Sequence, residues 1–153
     1  MEQIIKRFRE LLLEALEAEH TDMGNIHAYR PECDDLVIVS QVGFQEDVLE
    51  YFKTVKPFDA SSCGRALGIG NTVTIDDVET DVSFYLYRRI ARTAGYRSVK
   101  SVPVRTADRS LGVISLHYRE PHHQWKENRK LESLLPELAK TLERYAAKRA
   151  ELK

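Results

Sequence analysis

Gly95-Tyr96-Arg97-Ser98-Val99-Lys100-Ser101-Val102-Pro103-Val104-Arg105 and Leu111-Gly112-Val113-Ile114-Ser115-Leu116-His117-Tyr118 decide the fold. Both stretches are rich in β-branched and aromatic residues, and the short link Thr106-Ala107-Asp108-Arg109-Ser110 suits an antiparallel hairpin. In the second stretch Ile114, Leu116 and Tyr118 fall on one side, while Val113, Ser115 and His117 fall on the other. One wholly apolar face and one mixed face suit a sheet with a core on one side and a polar pocket on the other. Pro103 cannot donate to a strand ladder, so an edge position or a bulge is expected there.

Working outward, Met23 to Tyr29 and Leu36 to Val42 read as two more strands around the turn Arg30-Pro31-Glu32-Cys33-Asp34-Asp35. Val37-Ile38-Val39 suits a strand buried on both faces. Gln45 to Phe52 reads as a short helix, and Thr72 to Ile75 as a short strand. Ser61 or Ser62 can cap a helix over Cys63-Gly64-Arg65-Ala66-Leu67, with its stop at Gly68 or Gly70. Asp81 can cap a helix over Val82 to Ala94, which Gly95 ends. At the N-terminus Ile5, Phe8, Leu12 and Ala15 recur at helical spacing. A final helix from about Lys126 carries Leu131, Leu135, Leu138, Leu142 and Tyr145 in a 4–3 rhythm that asks for a partner helix. Pro136 inside it is expected to kink or weaken one turn. The order of elements describes an α+β domain with helices framing an antiparallel sheet.

The chain has 153 residues, 42% hydrophobic and 31% charged, which suits one domain with its own core. The layout is an N-terminal helix over residues 1–20, a sheet and pocket core over 21–125, and a C-terminal helix over 126–153. The 23 basic and 24 acidic residues leave a net charge of −1, so no general pull towards nucleic acid or membrane follows. Arg88, Arg89, Arg92, Arg97 and Lys100 are offset by Asp76, Asp77, Glu79 and Asp81, and read as a solvated helix face. No apolar run reaches the length of a membrane span, and the N-terminus does not read as a signal peptide. With only Cys33 and Cys63, the expectation is a reduced, cytoplasmic protein. No paired carboxylates, phosphate loop or zinc-protease string is present to support hydrolysis or phosphoryl transfer.

Five strings, in register from about Thr21 to Trp125, resemble those of GAF domains, PAS-like modules that sense small molecules. They are Cys63-Gly64-Arg65-Ala66-Leu67, Val73-Thr74-Ile75-Asp76-Asp77-Val78, Gly95-Tyr96-Arg97-Ser98-Val99, Val102-Pro103-Val104 and Leu111-Gly112-Val113-Ile114-Ser115-Leu116. Asp22-Met23-Gly24-Asn25-Ile26 and His117-Tyr118-Arg119-Glu120-Pro121-His122 are similar to strings in the GAF modules of bacterial sensor histidine kinases. The resemblance implies a six-stranded antiparallel sheet with terminal helices on one face. The segments from Phe44 to Gly95 would enclose a pocket on the other. It also implies a homodimer through the terminal helices, here Phe8, Leu12, Leu131, Leu135, Leu138 and Leu142. A sensor-kinase or other output domain would be the signalling partner.

On that fold the ligand-binding candidates are Ser62, Cys63, Gly64, Phe84, Tyr87, Ser101, Ser115 and His117. Ser61-Ser62-Cys63-Gly64 at a helix N-terminus suits a small polar or anionic ligand, or plain capping. Phe84 and Tyr87 read as an aromatic lid or as ordinary core. His117 and His27 read as semi-buried histidines or as ligand contacts. Cys63 has two readings, a lining residue or a thiol made reactive by the helix dipole. The second corresponds to a redox sensor, or to a protein like the GAF-type methionine sulfoxide reductases. Those enzymes need a further cysteine about ten residues before the Val-x-Pro string, where this chain has Arg92-Thr93-Ala94. Pigment-binding relatives attach bilin through a Cys-His pair on the helix equivalent to Val82–Ala94, which has neither, so no bilin is expected. Cyclic nucleotide is not expected, since Thr72 follows Asn71 where the nucleotide signature has Lys, and haem is not expected because nothing specific calls for an axial histidine. No metal site is expected. The main expectation is a non-enzymatic sensory module; a third reading is a ligand-free dimerising scaffold whose pocket its own side chains fill.

Overall fold

In the computed structural model, which describes residues 1–152, one antiparallel sheet organises the chain. Its elements in order are α1 (Glu2–Ala18), β1 (Met23–Arg30), β2 (Asp35–Val42), α2 (Glu46–Tyr51), β3 (Thr54–Val55) and α3 (Ser62–Ile69). Then come β4 (Val73–Ile75), a 3-10 segment (Val82–Tyr87), α4 (Arg88–Ala94), β5 (Ser98–Arg105), β6 (Ser110–Tyr118) and α5 (Arg129–Glu151). The six strands lie in the order β3-β2-β1-β6-β5-β4. The β5–β6 hairpin pairs from Ser98↔Tyr118 to Arg105↔Ser110, as the sequence predicts. β4 reaches only as far as Ser101, so Pro103 lies past its end, where a missing N–H disturbs no outer pairing.

Strand alternation sends two sets of side chains in opposite directions. Ile26, Ala28, Val102, Val104, Ile114 and Leu116 face α1 and α5, and pack on Phe8, Leu11, Leu12, Ala15, Leu138 and Leu142. Val113 and Leu36 face α2, α3 and α4 on the opposite side. Each fully buried large apolar side chain contributes roughly 1.5–3 kcal/mol, so both faces of the sheet carry stabilising cores.

That packing corrects the expected dimer seam. Phe8, Leu12, Leu131, Leu138 and Leu142 are all at most 2% exposed within one chain. Phe8 meets Tyr145 edge to face at 5.8 Å. The helix that α5 asks for is therefore α1 of the same chain. A 4–3 rhythm specifies a partner helix and is silent on which chain supplies it. Leu135 is half-buried at the rim. Pro136 points to solvent and α5 runs through it.

Three further expectations change. Val37-Ile38-Val39 are half-buried, because β2 has only the two-residue β3 outside it. β3 itself is too short for any periodicity to show. Val82–Ala94 is two pieces: Asp81 caps the first through Phe84 N at 3.0 Å, but the run Val82–Tyr87 is 3-10. Its β-branched and aromatic residues are mediocre α-formers, and three residues per turn bring Phe84 and Tyr87 to one side. Gly95 ends α4 at φ +91, as expected.

Candidate functional site

β1, β6 and β5 carry a polar row on the side away from the long helices. Asn25 stands opposite Ser115, and Ser115 stands opposite Ser101. His27 and His117 flank the row in β1 and β6. Above it sits the first turn of α3. Ser61 caps that turn, accepting from Gly64 N at 3.2 Å, and its hydroxyl lies 3.4 Å from Cys63 Sγ. Ser101 Oγ donates to Ser62 Oγ at 2.8 Å and lies 2.7 Å from Ser115 Oγ, so three buried hydroxyls tie sheet to canopy.

Between floor and canopy is a cavity of about 20 Å³, room for about one water molecule. The pocket expected from the sequence is thus largely closed. Phe44, Phe52, Phe84 and Tyr96 fill it, with Val48 and Leu49 of α2. Tyr96 meets Phe44 at 6.3 Å and Phe84 at 6.4 Å, in the edge-to-face arrangement that aromatic pairs prefer.

Of the candidates, Ser62, Cys63, Phe84, Ser115 and His117 line the cavity. Ser101 is one layer away, reaching it through Ser62 and Ser115. Tyr87 is behind the lining: its hydroxyl donates to Asp59 Oδ2 at 2.9 Å and its ring packs on Phe52 and Phe84. Gly64 is also outside the lining. A Cβ there would sit 2.8 Å from Lys56 O and 2.6 Å from Asp59 Cβ, so this glycine lets α3 press on the preceding loop. Sequence reasoning missed Asn25, Phe44, Phe52 and Tyr96. Asn25 was within reach, because it alternates with His27 in β1.

Three buried polar atoms in the lining residues have no protein partner among the described residues: Asn25 Oδ1, His27 Nδ1 and His117 Nδ1. His27 Nε2 lies 3.1 Å from Phe52 O. A carbonyl only accepts, so Nε2 carries the proton and Nδ1 holds a bare lone pair. Burial lowers the His27 pKa to about 4, against the Phe52 hydrogen bond, which raises it. Burial, reinforced by charge repulsion from His27, lowers His117 to about 3. His117 is wedged edge-on between Phe44 at 4.9 Å and Tyr96 at 4.6 Å.

Burial works against the dipole argument for a reactive Cys63. Burial pushes its thiol up to about 11, and the Ser61 hydrogen bond only partly opposes that. Cys33 is exposed on the β1–β2 turn. Neither histidine hydrogen-bonds to Cys63, Ser61, Ser62 or Ser115 among the described residues. Four of the five basic residues are spoken for: Arg92 pairs with Glu79, Arg97 with Asp77 and Lys100 with Glu19, while Arg88 donates to the Val78 and Asp81 carbonyls; Arg89 is exposed. No cluster of three metal-ligating side chains occurs among the described residues, and no helix among them is long and apolar enough to cross a membrane.

An antiparallel sheet with long terminal helices on one face and a small polar cavity under short helices on the other is the build of the PAS-like sensory modules. A profile of the GAF domain matches residues 1–144. The chain belongs to the GAF domain family. Solved structures share the fold at low identity. The GAF domain of an Acinetobacter phosphoenolpyruvate-protein phosphotransferase is 14% identical, with TM-score 0.74 over 94% of this chain and 84% of that one. A Sinorhizobium meliloti domain, from a protein whose name places it with the two-component sensor histidine kinases, is 14% identical, with TM-score 0.71 over 97% and 96%. The free methionine-R-sulfoxide reductase of Neisseria meningitidis, solved with its substrate, is 22% identical, with TM-score 0.70 over 92% and 78%. No curated protein matches the chain.

Proposed function

We propose that this is a non-enzymatic sensory GAF module that binds a small molecule between the sheet and α2–α3 and passes occupancy to α1 and α5, and from there to an output domain or signalling partner. The observation that carries this reading is the trio of unpartnered atoms on Asn25, His27 and His117. A scaffold with a merely filled interior would gain from apolar residues at those positions, since an unsatisfied buried polar group costs roughly 1–3 kcal/mol. Keeping three beside one cavity is what a binding site does.

The route out is short. The pocket face and the helix face of β6 are one residue apart, so a shift at Ser115 or His117 moves Ile114 and Leu116 against α1 and α5. Such coupling in ligand-regulated proteins is typically about 1–3 kcal/mol. A thiol cycle has less support, since Cys63 is buried with a raised pKa and its side chain pairs with the Ser61 hydroxyl rather than with a histidine. Native mass spectrometry of freshly purified protein tests the reading. A released small molecule is expected, and its loss on Asn25→Leu ties it to the pocket. A population made only of bare chain argues for the ligand-free scaffold.

A further inference from the structure

The cavity's chemistry restricts what it can hold, and this inference rests on the reading of that cavity as a ligand site. None of the residues lining it is Asp, Glu, Lys or Arg. The first turn of α3, which the sequence offers to an anion, already has one. Asp59 Oδ1 accepts from Ser61 N at 2.9 Å, and its Oδ2 accepts from Tyr87. The Gly64 N–H is also taken, by Ser61 Oγ. An incoming carboxylate or phosphate would therefore meet a turn whose Ser61 and Gly64 N–H groups are already engaged, a resident negative charge and no cation. A ligand cation fares no better, because no carboxylate lines the cavity, and burying an unpaired charge is costly.

Two of the unpartnered buried atoms have a definite sense. His27 Nδ1 is an acceptor, by the proton its Nε2 must give to Phe52 O. Asn25 Oδ1 is an acceptor by its nature. The aromatic rings of Phe44, Phe84 and Tyr96 supply apolar walls around them. We propose that the natural occupant is a small uncharged molecule that donates N–H or O–H hydrogen bonds, of the amide or alcohol class, to Asn25 Oδ1 and His27 Nδ1. Anything larger than a water displaces α2, whose six residues include one fully buried side chain, Val48.

The test uses the full chain and probes of one shape in three charge states: benzamide, benzoate and benzamidinium, with acetamide, acetate and acetamidinium as the smaller set. Imidazole 15N shifts of His27 and His117 and the thermal midpoint are read at pH 7. The amides are expected to shift the His27 Nδ1 resonance and raise the midpoint. The carboxylates and amidinium ions are expected to bind at least about tenfold more weakly. Asn25→Leu, with its midpoint retained, is expected to weaken amide binding by about tenfold. A charged probe that binds as tightly as its amide overturns the uncharged-donor assignment and leaves the ligand site standing. An amide affinity unchanged in Asn25→Leu overturns the assignment in the same way. Imidazole signals that respond to none of the six probes overturn both the assignment and the site.

Discussion

Lys100 Nζ lies 3.1 Å from Glu19 Oε1, and each side chain keeps only 10% of its surface exposed. Tyr118 also donates to Glu19 Oε1, while Asn128, the residue that caps α5, donates to Glu19 Oε2. One carboxylate therefore joins the end of α1, the start of α5 and two strands of the sheet. Burial raises the Glu19 carboxyl, but the Tyr118 and Lys100 contacts outweigh it and hold the group below its ordinary value.

Removing Glu19 leaves Lys100 buried and unpaired. Glu19→Ala is expected to destabilise the fold by about 3 kcal/mol. The double variant Glu19→Leu with Lys100→Met should recover most of that loss, because it removes both charges. Urea unfolding reads the difference. Equal losses in single and double variants would mean that packing, not charge, holds the junction.

The two pocket histidines give the stability a defined acid dependence. Their folded values lie near 4 and 3, below the ordinary 6.5. Above pH 6.5 both states are neutral at these positions and nothing changes. As pH falls below 6.5 the unfolded chain takes up protons that the folded chain refuses. Stability should therefore drop by up to about 1.4 kcal/mol per pH unit for each histidine, until their folded values are reached. Thermal midpoints from pH 7.5 to 4.5 test this, with His117→Phe expected to flatten the slope. Carboxylates such as Glu19 act lower, below their ordinary 4.5. A midpoint constant from pH 7.5 to 5 would contradict the buried neutral pair.

Thiol chemistry should separate the two cysteines cleanly. Cys33 is exposed and Cys63 is buried with its pKa near 11. At pH 7 iodoacetamide should label Cys33 in the folded protein and reach Cys63 only on unfolding, as peptide mapping would show. Rapid labelling of Cys63 in the native state would reopen the redox reading.

Much of the fold was legible because alternation in β1, β5 and β6 states which side chains face which way. His117 and Ser115 could be placed on the pocket side from period two alone. The site's cover was less legible. Phe44 and Tyr96 reach the cavity from loops, where no periodicity assigns a direction, and the apolar side of α2 with Phe52 does not by itself say what it covers. The α3 N-terminus read as free of any anion because Asp59 Oδ1, which accepts from Ser61 N beside it, acts through a turn that spacing does not reveal. The α5 seam showed its rhythm but not its partner.

That seam gives a further prediction. Leu138 is 1% exposed in the intrachain core, so Leu138→Glu should unfold the protein rather than yield a folded monomer. Burying the new charge should cost more than the ~2–5 kcal/mol of a Leu→Ala cavity. Circular dichroism beside sedimentation reads both at once. A native-like spectrum with a halved mass would place Leu138 between chains.

The central claim is that the space bounded by Asn25, His27, Phe44 and His117 exists to be occupied. Crystals of the protein taken directly from its expression host, without exhaustive dialysis, test it most directly. The account predicts density for a molecule of several non-hydrogen atoms against Asn25 Oδ1 and His27 Nδ1, with α2 displaced outward. A cavity still no larger than one water, with Val48 and Leu49 resting on the floor before and after soaking in a small-molecule cell extract, would contradict it.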